Sequence, residues 1–568
     1  MGDASRPVDA LDGLATAASE LRAALQATAF PLTLPGSADA LKVAGAAVSE
    51  LSDYILPRLA NLDAPALVVV GGSTGAGKST LVNSVIGAEV TIPGVLRPTT
   101  RSPVLVCHPD AIRWFDDTRI LPELARVHGG PATGPNQIQI VTNAAIGDGL
   151  AVLDAPDIDS VVDANRALAA QLLAAADVWV FVTTAARYAD AVPWEFLHTA
   201  RDRGTALTIV LNRVPAGALD QVRDHLLENL AANQLAGVEV MAVEEQSLTD
   251  GRIPDSAVAP LRTWLTTLAN DHEARGEIVR RTLDGALADL VVRSRSVLVA
   301  RQDQERATSD LLQLARVPYD KAVAGVDADI RGGSVLRGEV LARWQDLVGT
   351  GELLRQLQSV LGRLRDKLSS MVTGKATATD KFAGAVEAGV DTLVRARLTH
   401  AAIGAFGSWR DHPAGRTLLT GASGSLDECS PDLPEKTARL VRDWQGNLIE
   451  LLKQEGAGKR SAARVLSYGV NGLAAVLMVG VFAHTGGLTG GEVAIAGGGS
   501  VVGQKLLEAL LGDQAVRTLA DNARSDLHAR VAELAEQEWQ RYARLVTGGD
   551  GAATRLDAAI AGLDAARG

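Results

Sequence analysis

A glycine-rich segment early in the chain has the residue types and the spacing of a phosphate-binding loop. Residues 72–79 read Gly-Ser-Thr-Gly-Ala-Gly-Lys-Ser, which matches the pattern G-x-x-x-x-G-K-[ST] without a gap. The glycines let the backbone turn tightly, so that several N–H groups converge on one phosphate at a helix N-terminus. Lys78 can neutralise the β- and γ-phosphates of a nucleotide, and the Ser79 hydroxyl can ligate Mg²⁺. The segment therefore predicts a site for a nucleotide and Mg²⁺.

The sequence on either side of residues 72–79 supplies the strand and the helix that such a loop needs. Before it, ALVVV (66–70) is an apolar, β-branched run, and after it STLVNSVIG (79–87) has the composition of a helix. The alternative is a chance glycine-rich turn with a surface lysine, in which this strand and helix would have no role. The context favours the phosphate-binding interpretation.

Asp154 is the second candidate for chemistry. It ends the apolar run LAVLD (150–154), where an aspartate can hold Mg²⁺ through water, as the acidic residue of the second nucleotide motif does. An aspartate at a strand end is also a common turn former, which is the alternative. Its position after a buried strand that follows the phosphate loop favours the site role.

The elements that position these residues form an alternating pattern between Ala66 and about Asn270. Short apolar runs spaced by helical stretches predict a doubly wound, mostly parallel α/β sheet. The runs are ALVVVGG, PVLVCH, IQIVTN, LAVLD, DVWVFVT, ALTIVLN and VEVMAV.

Helical periodicity dominates the rest of the chain. Apolar residues step by three and four from Leu11 to Leu25, and a second helical stretch ends near Leu59. After about Asp271 the strands stop, and long amphipathic helices that must pack on one another predict a bundle or stalk. Their apolar stripes lie at 353–371, 386–401, 440–451 and 527–545, and a loop rich in Pro, Gly and Ser is expected at 411–436.

One segment is apolar enough to suggest insertion into a membrane. Residues 465–483 contain no charge and are long enough to cross about 30 Å of hydrocarbon, and a glycine-rich stretch follows to 503. Basic residues before the segment and Lys505 after it suit two flanks on the cytoplasmic side of a membrane-inserted hairpin. A hairpin buried in the bundle and a single spanning helix are the alternatives.

These features divide the chain into five segments. We expect N-terminal helices packing with the stalk at 1–62, the nucleotide-binding domain at 63–275 and a helical stalk at 276–464. The apolar glycine-rich hairpin follows at 465–503, and a returning stalk helix with the C-terminal tail at 504–568.

The order of motifs relates the chain to a known family. GKSTLVNSVIG, then IPGVLRPTTRSPVLV, then LAVLDAPDIDS follow the motif order of the translation-factor-like GTPases. With helices before this domain and a long stalk after it, the chain resembles the bacterial dynamin-like proteins of the dynamin superfamily. The motifs cover about residues 65–215, and over the stalk the resemblance is one of architecture. It implies an α/β P-loop GTPase domain with an N- and C-terminal helical bundle or stalk, GTP and GDP as ligands, Mg²⁺ as cofactor, and a membrane-binding paddle at 465–503.

The resemblance also assigns site residues. Thr100 would be the switch threonine that closes over the γ-phosphate and Mg²⁺, with Thr99 as the second candidate; a polar loop that bonds its own backbone is the alternative. We expect catalytic roles for Lys78, Thr100 and Gly75, and Mg²⁺ ligation by Ser79, Thr100 and Asp154. The expected nucleotide-binding residues are Gly72, Ser73, Thr74, Gly75, Ala76, Gly77, Lys78, Ser79, Thr80, Asp154, Asn212 and Arg213.

The second motif departs from the family pattern D-x-x-G. The chain reads Asp154-Ala155-Pro156-Asp157, with an aspartate where the glycine belongs. The Asp157 N–H could still reach a γ-phosphate, but its carboxylate would lie close to negative charge. Alternatively, Asp157 and Asp159 cap the following helix.

The guanine-reading motif N/T-K-x-D also departs, because the chain reads Asn212-Arg213-Val214-Pro215. Asn212 can contact the base edge and the Arg213 stem can cover its ring. Pro215 cannot accept the two hydrogen bonds that a carboxylate accepts from guanine, a loss of roughly 1–3 kcal/mol of base discrimination. Guanine preference thus follows from the resemblance, and ATP remains the alternative nucleotide.

Two further positions bear on catalysis. Gly75 stands where eukaryotic dynamins carry a serine that helps to stabilise transferred charge. Arg187, just after a strand, could supply positive charge in cis or across a dimer, or it could be a solvated arginine at a helix start. Dimerisation through the nucleotide-binding domains is the expected accelerator, so we expect a homodimer or oligomer.

Composition limits the remaining classes. A formal net charge of −12 argues against a nucleic-acid binder, and two distant cysteines fit a reducing compartment. The N-terminal residues do not read as a secretion signal. We expect a cytoplasmic protein, peripheral or hairpin-inserted at the inner face of the cell membrane. The functional prediction is a dynamin-like, Mg²⁺-dependent GTPase acting on membranes; the alternatives are a soluble nucleotide-dependent switch that binds protein partners, and an ATPase.

Overall fold

The structure, a computed structural model, divides the chain into two compact units. The first contains Met1–Phe30, Pro35–Gln304 and Asp550–Gly568, and the second contains Pro31–Leu34 and Glu305–Gly549. The residues that it describes are 8–92, 102–117, 120–132, 134, 136–159, 163–332, 378–456, 513–546 and 551–568. The five segments expected from the sequence are a division by role and stay a prediction.

Fourteen α-helices lie within the described ranges. They are α1 (Val8–Gln26), α2 (Ser37–Glu50), α3 (Leu56–Ala60), α4 (Lys78–Ile86), α5 (Asp163–Ala174), α6 (Ala191–Asp202), α7 (Leu219–Ala232), α8 (Asp255–Asn270), α9 (His272–Arg331), α10 (Ala378–Asp411), α11 (Pro413–Gly421), α12 (Leu433–Gly456), α13 (Asp513–Ala543) and α14 (Ala552–Arg567). A π-helical turn at Leu51–Ile55 joins α2 to α3.

One sheet forms the centre of the first unit. Its strands are β1 (Ala66–Gly72), β2 (Val104–Cys107), β3 (Ala125–His128), β4 (Gln137–Thr142), β5 (Leu150–Asp154), β6 (Val178–Thr184), β7 (Ala206–Val214) and β8 (Glu239–Glu244). Their order is β3-β4-β2-β5-β1-β6-β7-β8, and neighbouring strands are parallel except for β2 and β5. Each of the seven predicted runs overlaps one of these strands, and β3 was not predicted.

Helices cover both faces of the sheet, which is why its central strands are apolar throughout. All seven residues of β1 are buried. Alternate residues point to opposite faces: Leu67 and Val69 join a core with α1, α5 and α14, whereas Val68 and Val70 join a core with α4 and α8. The predicted fold class, a doubly wound and mostly parallel α/β sheet with a helical part, is confirmed.

The second unit is helical and has a core of its own. Residues of α9 after Gln304 pack with α10, α12 and α13. Trp409 and Trp444 are fully buried, and each indole N–H donates to a backbone carbonyl at 2.8 Å. The predicted stripes at 386–401, 440–451 and 527–545 lie on these helices, whereas the stripe at 353–371 lies outside the described residues.

Two expectations concern loops and spans in the second half of the chain. The loop expected at 411–436 contains a nine-residue helix, α11, so that expectation was wrong over Pro413–Gly421. The apolar hairpin at 465–503 lies outside the described residues. In the ranges that the structure does describe, the helices are all too short or too polar to span a bilayer.

Candidate functional site

The predicted phosphate loop is the tight turn between β1 and α4. Gly72 ends β1 so close to β6 that a Cβ there would lie 2.0 Å from the Val182 carbonyl oxygen. Gly77 immediately precedes α4 with φ +83°, a left-handed conformation in which glycine has no steric cost. The glycines therefore let the chain reverse, and they place the N-terminus of α4 at the carboxyl edge of the sheet.

Lys78 lies inside this turn, and its side chain is only 4% exposed. Its ammonium donates to the carbonyl oxygens of Gly72 at 3.0 Å and Ser73 at 3.1 Å, and it forms a 2.5 Å ion pair with Asp157 Oδ1. The loop thus fixes its own cation through two carbonyls. Asp157, the aspartate that stands where the D-x-x-G pattern has glycine, supplies the anion.

Ser79 and Asp154 meet beside the lysine. The Ser79 hydroxyl donates to Asp154 Oδ2 at 2.6 Å, and Asp154 is fully buried. Burial raises the pKa of Asp154 to about 6, against the opposing hydrogen bond from Ser79 and the charge of Lys78. Asp154 Oδ1 is buried and has no hydrogen-bond partner among the described residues. A hydroxyl and a carboxylate with an orphaned oxygen form a donor set that suits Mg²⁺.

Thr91 belongs to the same corner, although it is part of none of the sequence motifs. It is buried, and its hydroxyl donates to the Ser79 carbonyl oxygen at 3.3 Å. The amide of Asn83, on α4, holds this segment by accepting from the N–H groups of Val90 and Thr91 at 2.9 Å each. Asn83, a polar residue in the middle of the predicted helix, was the available signal.

Asp159 and Arg187 close the other side of the loop. Asp159 Oδ1 accepts from both the N–H and the hydroxyl of Thr74, each at 2.6 Å. Arg187 donates to the Thr74 carbonyl oxygen at 2.9 Å and to Asp159 Oδ2 at 2.8 Å. Arg187 thus contacts the loop directly, with its side chain 39% exposed. The described contacts of Asp157 are with Lys78, and those of Asp159 are with Thr74 and Arg187.

The proposed base-reading residues lie on the far side of Gly77. The Asn212 side-chain amide is buried and donates to the Ala76 carbonyl oxygen at 2.7 Å. Arg213 follows with a φ of +54°, next to a register shift between β7 and β8. A Cβ at Gly77 would lie 3.5 Å from Arg213 Nε. The structure thus places both residues against the phosphate loop, and one N–H of the Asn212 amide is bonded to the loop backbone.

Some of the remaining predicted site residues lie within the described part of the chain, and others lie outside it. Gly75, with φ +75°, and buried Ala76 lie within the loop, and Thr80 lies in the first turn of α4. Thr99 and Thr100 lie outside the described residues, so their switch role stays a prediction.

Comparisons of this chain with known proteins find similar solved structures but no matching sequence family. No protein-family model and no curated protein matches the chain. A solved structure of an oligomerised bacterial dynamin pair, described as a mechanism for sensing and tethering membranes, is 8% identical, with a TM-score of 0.43 over 98% of this chain and 94% of that chain. A second structure of such a pair is 10% identical, with a TM-score of 0.43 over 95% of each chain.

A third solved structure matches about a third of this chain. Era of Aquifex aeolicus, solved with GDP and AlF4⁻, is 20% identical, with a TM-score of 0.24 over 35% of this chain and 56% of that chain. The bacterial dynamins are the family that the sequence motifs resemble.

Proposed function

We propose that this chain is a Mg²⁺-dependent GTPase of dynamin type whose hydrolysis is coupled to a membrane. One observation carries the proposal: Lys78, Ser79 and Asp154 converge at the carboxyl edge of a mostly parallel sheet, beside the N-terminus of α4. In doubly wound sheets this edge is where ligands bind. The loop amides and the lysine supply the positive field that a polyphosphate requires.

Each residue has a role in this proposal. Lys78 compensates the charge of the terminal phosphates, held in place by the Gly72 and Ser73 carbonyls. Ser79 and Asp154 would hold Mg²⁺, with Thr100 proposed as the third ligand that closes over the γ-phosphate. When bound, Mg²⁺ neutralises phosphate charge and orients the transferred group. Gly75 keeps the loop backbone close to the phosphates, and its lack of a side chain leaves catalysis to positioning and to Lys78.

Guanine is the proposed base, with Asn212 and Arg213 beside it. Because Asn212 donates one N–H to the Ala76 carbonyl, its amide oxygen and its second N–H are left to meet the base. Equilibrium competition of GDP and ADP against a fluorescent nucleotide tests the choice. Tighter binding of GDP supports the proposal, and tighter binding of ADP would replace GTPase by ATPase.

Membrane coupling is proposed for the apolar segment at 465–503. The absence of charge over residues 465–483 and the basic flanks support it. The chain would then act at the inner face of the cell membrane as a homodimer or oligomer, associating through its nucleotide-binding domains. Phosphate release measured with GTP and Mg²⁺, with and without liposomes, tests the coupling: stimulation by liposomes is expected, and an unchanged rate would argue for a nucleotide-dependent switch without membrane action.

A further inference from the structure

Residues 155–159, which follow β5, lie directly on the phosphate loop. The Ala155 N–H donates to the Val70 carbonyl oxygen at 3.1 Å, and the Ile158 N–H donates to that of Gly72 at 3.4 Å. These bonds hold Asp157 and Asp159 over the turn that is proposed to bind a nucleotide. Both carboxylates therefore occupy donors of the loop itself.

Asp157 uses a donor that a phosphate needs. An ammonium group has three N–H donors, and those of Lys78 go to Gly72 O, Ser73 O and Asp157 Oδ1. The two carbonyls belong to the loop and cannot leave it without unfolding the turn. A phosphate that contacts Lys78 must therefore replace the Asp157 carboxylate or lie beside it.

Asp159 is in a different electrostatic position. It accepts from Thr74 and also pairs with Arg187 at 2.8 Å, so that Arg187, and not Lys78, balances its charge. Asp157 forms its ion pair with Lys78, and both side chains are almost fully buried, at 7% and 4% exposure. Charges interact strongly at such buried positions, because little water screens them.

We propose that Asp157 is a specificity-determining residue that weakens triphosphate binding more than diphosphate binding. The inference rests on the proposed nucleotide site and deepens it. Both ligands compete with the carboxylate for Lys78, but the triphosphate carries an additional phosphate and more negative charge near it. Repulsion grows with that charge, so the diphosphate form is favoured. A glycine at this position, as in the D-x-x-G pattern, would impose no such bias.

The test is a comparison of two affinities in the full-length chain. Dissociation constants for GDP and for the slowly hydrolysed analogue GTPγS are measured with Mg²⁺ for the wild type and for Asp157→Asn. The expected result is that the ratio of the GTPγS to the GDP constant falls by about tenfold or more in the variant. Asp190→Asn is the control, since it removes a negative charge 3.4 Å from Arg187 without touching Lys78; its ratio should stay that of the wild type.

The outcomes separate this inference from the proposed function. An unchanged or higher ratio in Asp157→Asn, with binding still abolished by Lys78→Ala, would overturn the inference and leave the nucleotide site standing. No binding of either ligand by the folded wild type would overturn both. If Asp157→Asn loses its circular dichroism spectrum, Asp157→Ser is measured in its place with the same expectation.

Discussion

At the scale of single residues, Gly77 shows how the proposed phosphate site depends on backbone conformation. Its φ of +83° is left-handed, and a Cβ there would lie 2.8 Å from Asn212 Nδ2. The same residue fixes where α4 begins, and so where the N–H groups of the loop point. Any side chain at this position strains the turn and also pushes on the buried amide that anchors β7 to the loop.

We predict that Gly77→Ala abolishes nucleotide binding, while the same change at a matched glycine does not. Gly87, at the other end of α4, also has a left-handed φ of +77°, but a Cβ there would meet no atom within 4 Å among the described residues. Both substitutions should cost roughly 1–2 kcal/mol of folding free energy from backbone strain. Fluorescent GDP binding should be lost in Gly77→Ala alone, and equal binding by the two variants would contradict the role given to the turn.

Ser79 gives a second residue-scale prediction. Because its hydroxyl lies on Asp154 and is a proposed Mg²⁺ ligand, Ser79→Ala should lose the Mg²⁺-dependent part of GDP-induced thermal stabilisation. The measurement is the melting temperature with GDP, in Mg²⁺ and in EDTA. Ser296→Ala, an exposed serine of α9, should keep the full difference. A Mg²⁺ effect of wild-type size in Ser79→Ala would remove that residue from the metal site.

The phosphate-loop motif and the second nucleotide motif predicted that Lys78, Ser79 and Asp154 lie close together. The structure brings these three residues together. The motifs could not predict the Lys78–Asp157 pair or the bond from Asn212 to Ala76. Those contacts join segments 79 and 136 residues apart, and they depend on how closely β5 and β7 approach the loop. Spacing along a chain carries no such information.

At the scale of elements, the strands that sequence patterns predict are the buried ones. β1 and β6 are buried along their whole length, and their continuous apolar runs are unmistakable. β3, at the sheet edge, has two exposed and two half-buried residues, Ala-Arg-Val-His, and so lacks that signal. The helix α11 was missed because Pro413 and nearby glycines suggested a loop, although proline is well accommodated at the start of a helix.

The π-helical turn at Leu51–Ile55 contains Asp53, a carboxylic acid whose pKa differs between the folded and the unfolded chain. Asp53 is buried, and its Oδ2 accepts from Gln171 of α5 at 2.7 Å. Burial raises the pKa of Asp53 to about 6 in spite of that bond. In the unfolded chain the pKa is about 3.9. The folded state therefore loses stability as pH rises from about 4 to about 6, and the loss is complete above that range.

We predict that Asp53→Asn stabilises the first unit at pH 7 by roughly 1–3 kcal/mol, since the amide keeps an acceptor for Gln171 and carries no charge. The gain should shrink towards zero at pH 4, where the wild-type acid is protonated. Urea unfolding at pH 4, 5, 6 and 7 measures it. The exposed Asp63→Asn is the control and should follow the wild type. A gain that is the same at every pH would show that burial of the charge is not its cause.

At the scale of the whole molecule, the chain combines an α/β unit with a proposed phosphate site and a helical unit with a separate aromatic core. Coupling between hydrolysis and a membrane requires that the apolar segment at 465–503 reaches lipid. Composition alone carries that part of the proposal, because the segment lies outside the described residues.

We predict that the full chain floats with anionic liposomes in a density gradient. A variant in which residues 465–503 are replaced by a Gly/Ser linker of equal length should stay at the bottom, because it lacks the apolar surface that lipid would bury. Retained GDP binding by that variant is the control for folding of the nucleotide-binding part. Failure of both proteins to float would favour the soluble switch.

Every role proposed for this chain requires that residues 72–79 bind the phosphates of a nucleotide. The decisive experiment is calorimetric titration of the full chain with GTPγS and Mg²⁺. Saturable binding by the wild type and none by Lys78→Ala is expected, with both proteins folded by circular dichroism. No heat from the folded wild type, or equal binding by both proteins, would refute the phosphate site.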